Sequence, residues 1–220
     1  MICPHRFLER RQIFADCVHL MTLHEPGNEL HLVPEVSVPG GSVDYFLVSA
    51  YTNKVVDFVG VELQTLDTTG SLWSERTSLI SGKGFEVSEA DTAYKSFGMN
   101  WKMSAKTVLV QIHHKIETFE HLGKHLVLIV QDCFSDYMAR EFNFSHFRQA
   151  RLGDSIHIHS YALEKTDNNS LRLRLEKRIS TDSSGVALCL GLQAEAKIEL
   201  DRIVEYLEAR ISEKTILQTV

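Results

Sequence analysis

Apolar and polar positions change period several times along the chain, and each change marks a predicted element. From His5 to Met21, the residues Phe7, Leu8, Phe14, Val18 and Met21 recur at near-helical spacing among Arg6, Glu9, Arg10 and Arg11, which predicts an amphipathic first helix. Glu25-Pro26-Gly27-Asn28 breaks that period, and a short strand over Leu30–Val36 then runs into the turn Pro39-Gly40-Gly41. Val43–Ala50 and Val55–Gln64 are rich in β-branched and aromatic residues and flank polar Thr52-Asn53-Lys54, which predicts a hairpin.

Beyond Asp67-Thr68-Thr69-Gly70-Ser71 the chain to Gly98 is polar and without clear period, as expected of a long functional loop. Ala105, Val108, Leu109, Ile112, Ile116 and Phe119 then follow the i, i+3, i+4, i+7 rule and predict a helix over Ser104–Leu122, stopped at Gly123. The apolar run Leu126-Val127-Leu128-Ile129-Val130 reads as a strand over His125–Gln131 buried on both faces. A helix over Ser135–Phe142, strands over Ile156–Leu163 and Leu171–Ile179, and a last amphipathic helix over Leu192–Ile211 complete the pattern. This order predicts an α/β fold with a central mixed β-sheet flanked by helices. Residues 1–142 would form the core, and residues 143–220 an addition packed on it for recognition or dimerisation.

A chain of 220 residues can bury one substantial core, and 44% hydrophobic with 24% charged residues is ordinary for a globular protein. No apolar stretch reaches the roughly 20 residues that span a bilayer, and the start lacks a signal-peptide core, so a cytoplasmic protein without a membrane partner is expected. A net charge of −6 argues against non-specific coating of nucleic acid, but not against an enzyme whose carboxylates gather around a metal. Cys3, Cys17, Cys133 and Cys189 form no CxxC pair, so neither a disulfide framework nor a complete zinc site is legible.

The candidate chemistry lies in the hairpin. Asp44 follows the Gly40-Gly41 turn at the head of one strand, and Glu62 and Gln64 project from the same face of the next. Adjacent strands would bring Asp44 beside Glu62, and two carboxylates make an oxygen site suited to Mg²⁺. The plainer alternative is that Asp44 caps a turn while Glu62 and Gln64 lie on an exposed sheet face.

The stretch "PGGSVDYFLVS", followed by "VVDFVGVELQTLDTTGS", resembles the NotI-type restriction endonuclease family, a branch of the PD-(D/E)XK nucleases in which glutamine replaces the usual lysine. The likeness continues through "FGMNWKMSAKTVLVQIHHKIETFEHLGKHLVLIVQD" and covers about Cys3 to Asp132. It implies a restriction-endonuclease-like fold and a homodimeric, Mg²⁺-dependent enzyme that hydrolyses double-stranded DNA at a specific site. Asp44 and Glu62 would be metal ligands and Gln64 the catalytic amide that positions the attacking water. Two other readings stay open: a truncated or non-catalytic DNA-binding module, and a repair or defence nuclease of the same fold without a fixed site.

Several further residues are candidates. Glu9 could add an acidic metal ligand, although a solvated helix charge is the simpler reading. Lys102, Lys106 and His113 form a basic edge that could meet phosphate, and one of those lysines could replace the missing active-site lysine. Arg76, Lys83 and Lys95, interleaved with Trp73, Phe85 and Tyr94, are DNA-contact candidates. The family resemblance also implies a structural iron held by four cysteines. Cys3 and Cys17 could belong to such an Fe or Zn site only with further ligands upstream. The 11 histidines show no diagnostic third-ligand spacing and read as solvated or packed.

Overall fold

The computed structural model describes residues 4–66, 68–70, 97–167, 170–192, 204–205 and 208–210. Its framework is one seven-stranded mixed sheet in the order β1-β2-β3-β6-β8-β9-β7. The strands are β1 (Glu29–Val38), β2 (Gly41–Tyr51), β3 (Lys54–Gln64), β6 (His125–Gln131), β7 (Arg148–Gln149), β8 (Ile156–Lys165) and β9 (Leu171–Thr181). A separate two-stranded ladder joins β4 (Thr68–Gly70) to β5 (Phe97–Met99). β1, β2 and β3 form an antiparallel meander; β3, β6 and β8 run parallel; β9 and β7 return antiparallel. β6 is central and apolar at consecutive positions because both of its faces are covered.

The covering is different on the two faces. On one face, Leu126, Leu128 and Val130 of β6 pack with Val108, Ile112, Ile116 and Phe119 of the long helix α3 (Trp101–His121). The helices α4 (Asp132–Glu141) and α5 (Ser183–Cys189) add Phe134, Met138 and Val186 to this layer. Gly60 of β3 admits Phe119, since a Cβ there would lie 2.5 Å from its ring. On the other face, Val127 and Ile129 meet Phe7, Ile13, Phe14, Leu20 and Met21 from the N-terminal segment.

That segment is not the continuous first helix its spacing predicts. It is broken into α1 (Pro4–Phe7), a 3-10 turn at Glu9–Arg11, α2 (Gln12–Ala15) and a second 3-10 turn at Val18–Leu20. Arg10 and Arg11 take left-handed φ values of 54° and 55°, which no α-helix accommodates. The apolar residues reach the core from successive turns instead of from one stripe.

Beyond residue 142, β7, β8 and β9 supply three of the seven strands of the sheet, and α5 packs on α3. The predicted last helix falls mostly outside the described residues. Among the described residues, no helix is long and apolar enough to cross a membrane.

Candidate active site

The β2–β3 hairpin brings the predicted carboxylates together. The last recorded pair of the ladder is Tyr45 with Val61, so continued register sets Asp44 opposite Glu62. Asp44 Oδ2 accepts a hydrogen bond from the Leu63 backbone N–H at 2.8 Å, which ties the head of β2 to the end of β3. Glu62 leaves β3 on the α3 side, as Phe58 and Gly60 do. Gln64 follows on that side and lines one small cleft with Glu62, Gln111 and Lys115. Its Nε2 donates to the Thr65 carbonyl at 2.6 Å.

Glu62 has a partner that strand parity does not reveal. Lys115, in the middle of α3, donates from Nζ to Glu62 Oε1 at 2.5 Å, and the two side chains are only 8% and 13% exposed. Burial pushes the Glu62 carboxyl up to about 7; Lys115 acts against that rise and neighbouring Asp44 adds to it. A carboxylate held this close to neutrality is what a buried acid with a single compensating donor becomes.

The approach of α3 depends on the Gly40-Gly41 turn. Both glycines have positive φ, 91° and 141°. A Cβ on Gly40 would overlap the His114 carbonyl oxygen, and one on Gly41 would lie 3.0 Å from Lys115 Cε. The turn that leads into Asp44 is therefore also the wall along which the Lys115 stem runs.

The signal for Lys115 was present in the sequence. It stands three residues after Ile112 and four before Phe119, on the apolar stripe of α3, where an unpaired lysine is costly. Lys102, Lys106 and His113 are not its equivalents. At 100° per residue Lys106 lies roughly 180° around the helix from Lys115, with Lys102 and His113 also on the far side. Lys102 and Lys106 are exposed, and neither is the lysine that reaches Glu62.

The structure also separates Glu9 from this cluster. Glu9 pairs with Arg6 at 3.0 Å, and both line an open groove with Arg10, Leu171 and Arg172 beside the β8–β9 end. The broken N-terminal helix turns Glu9 toward that groove instead of toward Asp44 and Glu62.

Cys17 is fully buried, with its Sγ 3.9 Å from His159 Nδ1 and its thiol pushed up to about 12 by burial. A thiol so held is a packed side chain, not a ready thiolate. Cys3, Arg76, Lys83 and Lys95 lie outside the described residues. Among the described residues, no group of three or more His, Cys, Asp or Glu side chains converges as a metal site. His157 and His159 are packed, as expected, at 1% and 0% exposure.

Asp44 and Glu62 still suit a hard cation. Each has one oxygen engaged, by Leu63 N–H and by Lys115 respectively, and a second for which the described residues record no hydrogen bond. Magnesium commonly takes one or two protein carboxylates and completes its shell with water and phosphate.

No protein-family model matches the chain, and no curated protein matches it significantly.

Proposed function

We propose that this chain is a Mg²⁺-dependent endodeoxyribonuclease with a restriction-endonuclease-like fold, cutting duplex DNA at a specific site as a homodimer, in the manner of the NotI-type enzymes its hairpin resembles. The observation that carries this reading is the meeting of Asp44 and Glu62 at one end of β2 and β3, with Gln64 two residues on and lining the same small cleft as Glu62. The mixed sheet with helices on one side of that hairpin is compatible with such a fold.

Asp44 and Glu62 would hold the ion, whose contribution is Lewis acidity toward a phosphate oxygen and a more acidic bound water. Gln64, anchored through Nε2 to Thr65, presents its carbonyl oxygen to accept a hydrogen bond from the attacking water. The water oxygen forms a bond to phosphorus as the bond from phosphorus to O3′ breaks. The water gives up a proton to solvent and the departing O3′ takes one from solvent, leaving a 5′-phosphate and a 3′-hydroxyl. Leu63 N–H keeps Asp44 oriented throughout.

The test is incubation of plasmid and phage DNA with the chain and Mg²⁺, beside an EDTA control and Glu62→Ala. Discrete fragments that vanish in both controls are the expected result. A smear would favour a nuclease without a fixed site. Retardation of DNA without cleavage would favour the non-catalytic binding module, a reading that the Glu62–Lys115 ion pair supports because it occupies one of the two carboxylates.

A further inference from the structure

We propose a transition-metal site where β6 and β8 begin: His125 Nδ1, His157 Nε2 and the Asp154 backbone carbonyl together bind one divalent ion of the Zn²⁺ class, which staples the two strands. The inference is independent of the nuclease reading. His125 and His157 share strand parity with Val127, Ile129 and Tyr161, so they lie on the sheet face away from Glu62. The third atom belongs to the main chain, so the set is not a cluster of three side chains.

Three observations converge on it. The three atoms close a triangle: the two nitrogens are 3.3 Å apart, and each is 3.0 Å from the Asp154 oxygen. Two nitrogens on one tetrahedral Zn²⁺ stand about 3.3 Å apart at the usual Zn–N length. Hydrogen bonding serves this triangle poorly, because both ring N–H groups must aim side by side at a single acceptor. Second, the Asp154 carbonyl is fixed from behind. Its carboxylate accepts from Arg148 Nη2 at 2.7 Å and from Ser180 Oγ at 2.5 Å, and its N–H donates to the Arg151 carbonyl at 3.1 Å. Among the described residues, no backbone N–H is recorded on its own carbonyl. Third, burial holds the His157 ring well below the usual histidine range, which keeps it in the neutral form that coordinates metal. His157 Nδ1 is buried without a recorded partner, and it carries the ring proton when Nε2 binds the ion. Ser155 Oγ, two residues before His157 and also buried without a partner, offers an oxygen for the fourth position. Imidazole with carbonyl oxygen suits Zn²⁺, Co²⁺ or Ni²⁺ better than Ca²⁺ or Mg²⁺. β6 and β8 are parallel neighbours with no hairpin to join their starts, and the ion closes the 32-residue separation between His125 and His157.

The test titrates Co²⁺ and Zn²⁺ into the full chain, with Ca²⁺ as the hard-ion probe of the hairpin carboxylates and Glu62→Ala as a second background that removes that pair. One equivalent of Co²⁺ should bind in both backgrounds with a four-coordinate visible spectrum and no thiolate charge-transfer band, and Ca²⁺ should not displace it. Zn²⁺ at about 100 times its dissociation constant should raise the melting temperature by about 5–10 °C. His125→Gln and His157→Gln should each weaken Co²⁺ binding by at least about 100-fold. His159→Gln, which alters the next buried ring along β8, should leave it unchanged. Where a buried variant fails to fold, the spectrum of the unmodified chain decides. A thiolate band, which would move the ion to Cys17, overturns the site. So do weak six-coordinate uptake by exposed histidines only, full binding by a folded His157→Gln, and a melting temperature that Zn²⁺ does not move. Cleavage is not among these readouts, so the metal site and the nuclease stand or fall separately.

Discussion

Two buried acids sit five residues apart on β3, on opposite faces, and each meets a lysine at 2.5 Å, yet they are treated in opposite ways. Burial raises both carboxyls, but Asp57 also accepts hydrogen bonds from the Leu23 N–H at 2.9 Å and the Phe58 N–H at 2.8 Å. Together with Lys124 these hold Asp57 below the usual carboxylate range. Glu62 has Lys115 and, among the described residues, no backbone donor, and burial holds its carboxyl near 7. Asp57 is thus an acid whose burial is met by three donors, and Glu62 one whose burial is met by a single lysine.

The sharpest way to break this contrast is Glu62→Gln, which should lower cleavage by at least about 10³-fold, as loss of a metal ligand does. It should disturb stability less than Asp57→Asn. The latter removes the anion that Lys124 and two N–H groups share, and should cost about 3 kcal/mol in urea unfolding while leaving cleavage intact below its melting temperature. If Asp57→Asn abolished cleavage in the folded chain, the division of labour along β3 would be wrong.

The next effect is acid lability from the other side of the sheet. Burial depresses His157 to about 4 and His159 to about 3, each from an ordinary 6.5, with His125 and Arg178 respectively as the next causes. The unfolded chain therefore takes up these protons first. Stability is complete above pH 6.5 and declines as pH falls toward 4, by an amount on the order of 3 kcal/mol for each fully protonated ring. Urea midpoints measured between pH 7 and 4 should show the decline, and His159→Gln should flatten it.

Glu62 has the opposite sign. Its folded carboxyl keeps a proton up to about 7, whereas the unfolded one loses it near 4.5. It therefore weakens the fold as pH rises through that window, and Ca²⁺ binding at pH 6.5 should release a proton, visible as a buffer-dependent heat.

Last and smallest, Lys102→Ala and Lys106→Ala should leave Ca²⁺ binding and stability within about 0.5 kcal/mol, as exposed substitutions do. A large loss of Ca²⁺ binding in either would bring the far side of α3 back into the site.

Legibility in the sequence followed the range of the contacts involved. The hairpin, β6 and α3 were readable because period 2, a bounded apolar run and period 3.6 are local signals. The strand parity that aligns Glu62 with Gln64 was readable for the same reason. The broken N-terminal segment was not, because an apolar period from Phe7 to Met21 is blind to the left-handed backbone of Arg10 and Arg11. Lys115 was hidden because its meaning comes from a turn at Gly40-Gly41 far back in the chain. The single trace it left, a charge on an apolar stripe, resembles the basic edge formed by Lys102 and Lys106.

The ion pair that joins β3 to α3 also dictates an order of assembly. The β2–β3 hairpin can pair as soon as its turn closes, but Glu62 finds Lys115 only after a loop of 53 residues has closed on it. Loops of that length close late, since their entropy is lost before any contact repays it. The nascent hairpin thus carries its acids unaccompanied, and the proposed reactive geometry appears only once α3 has docked.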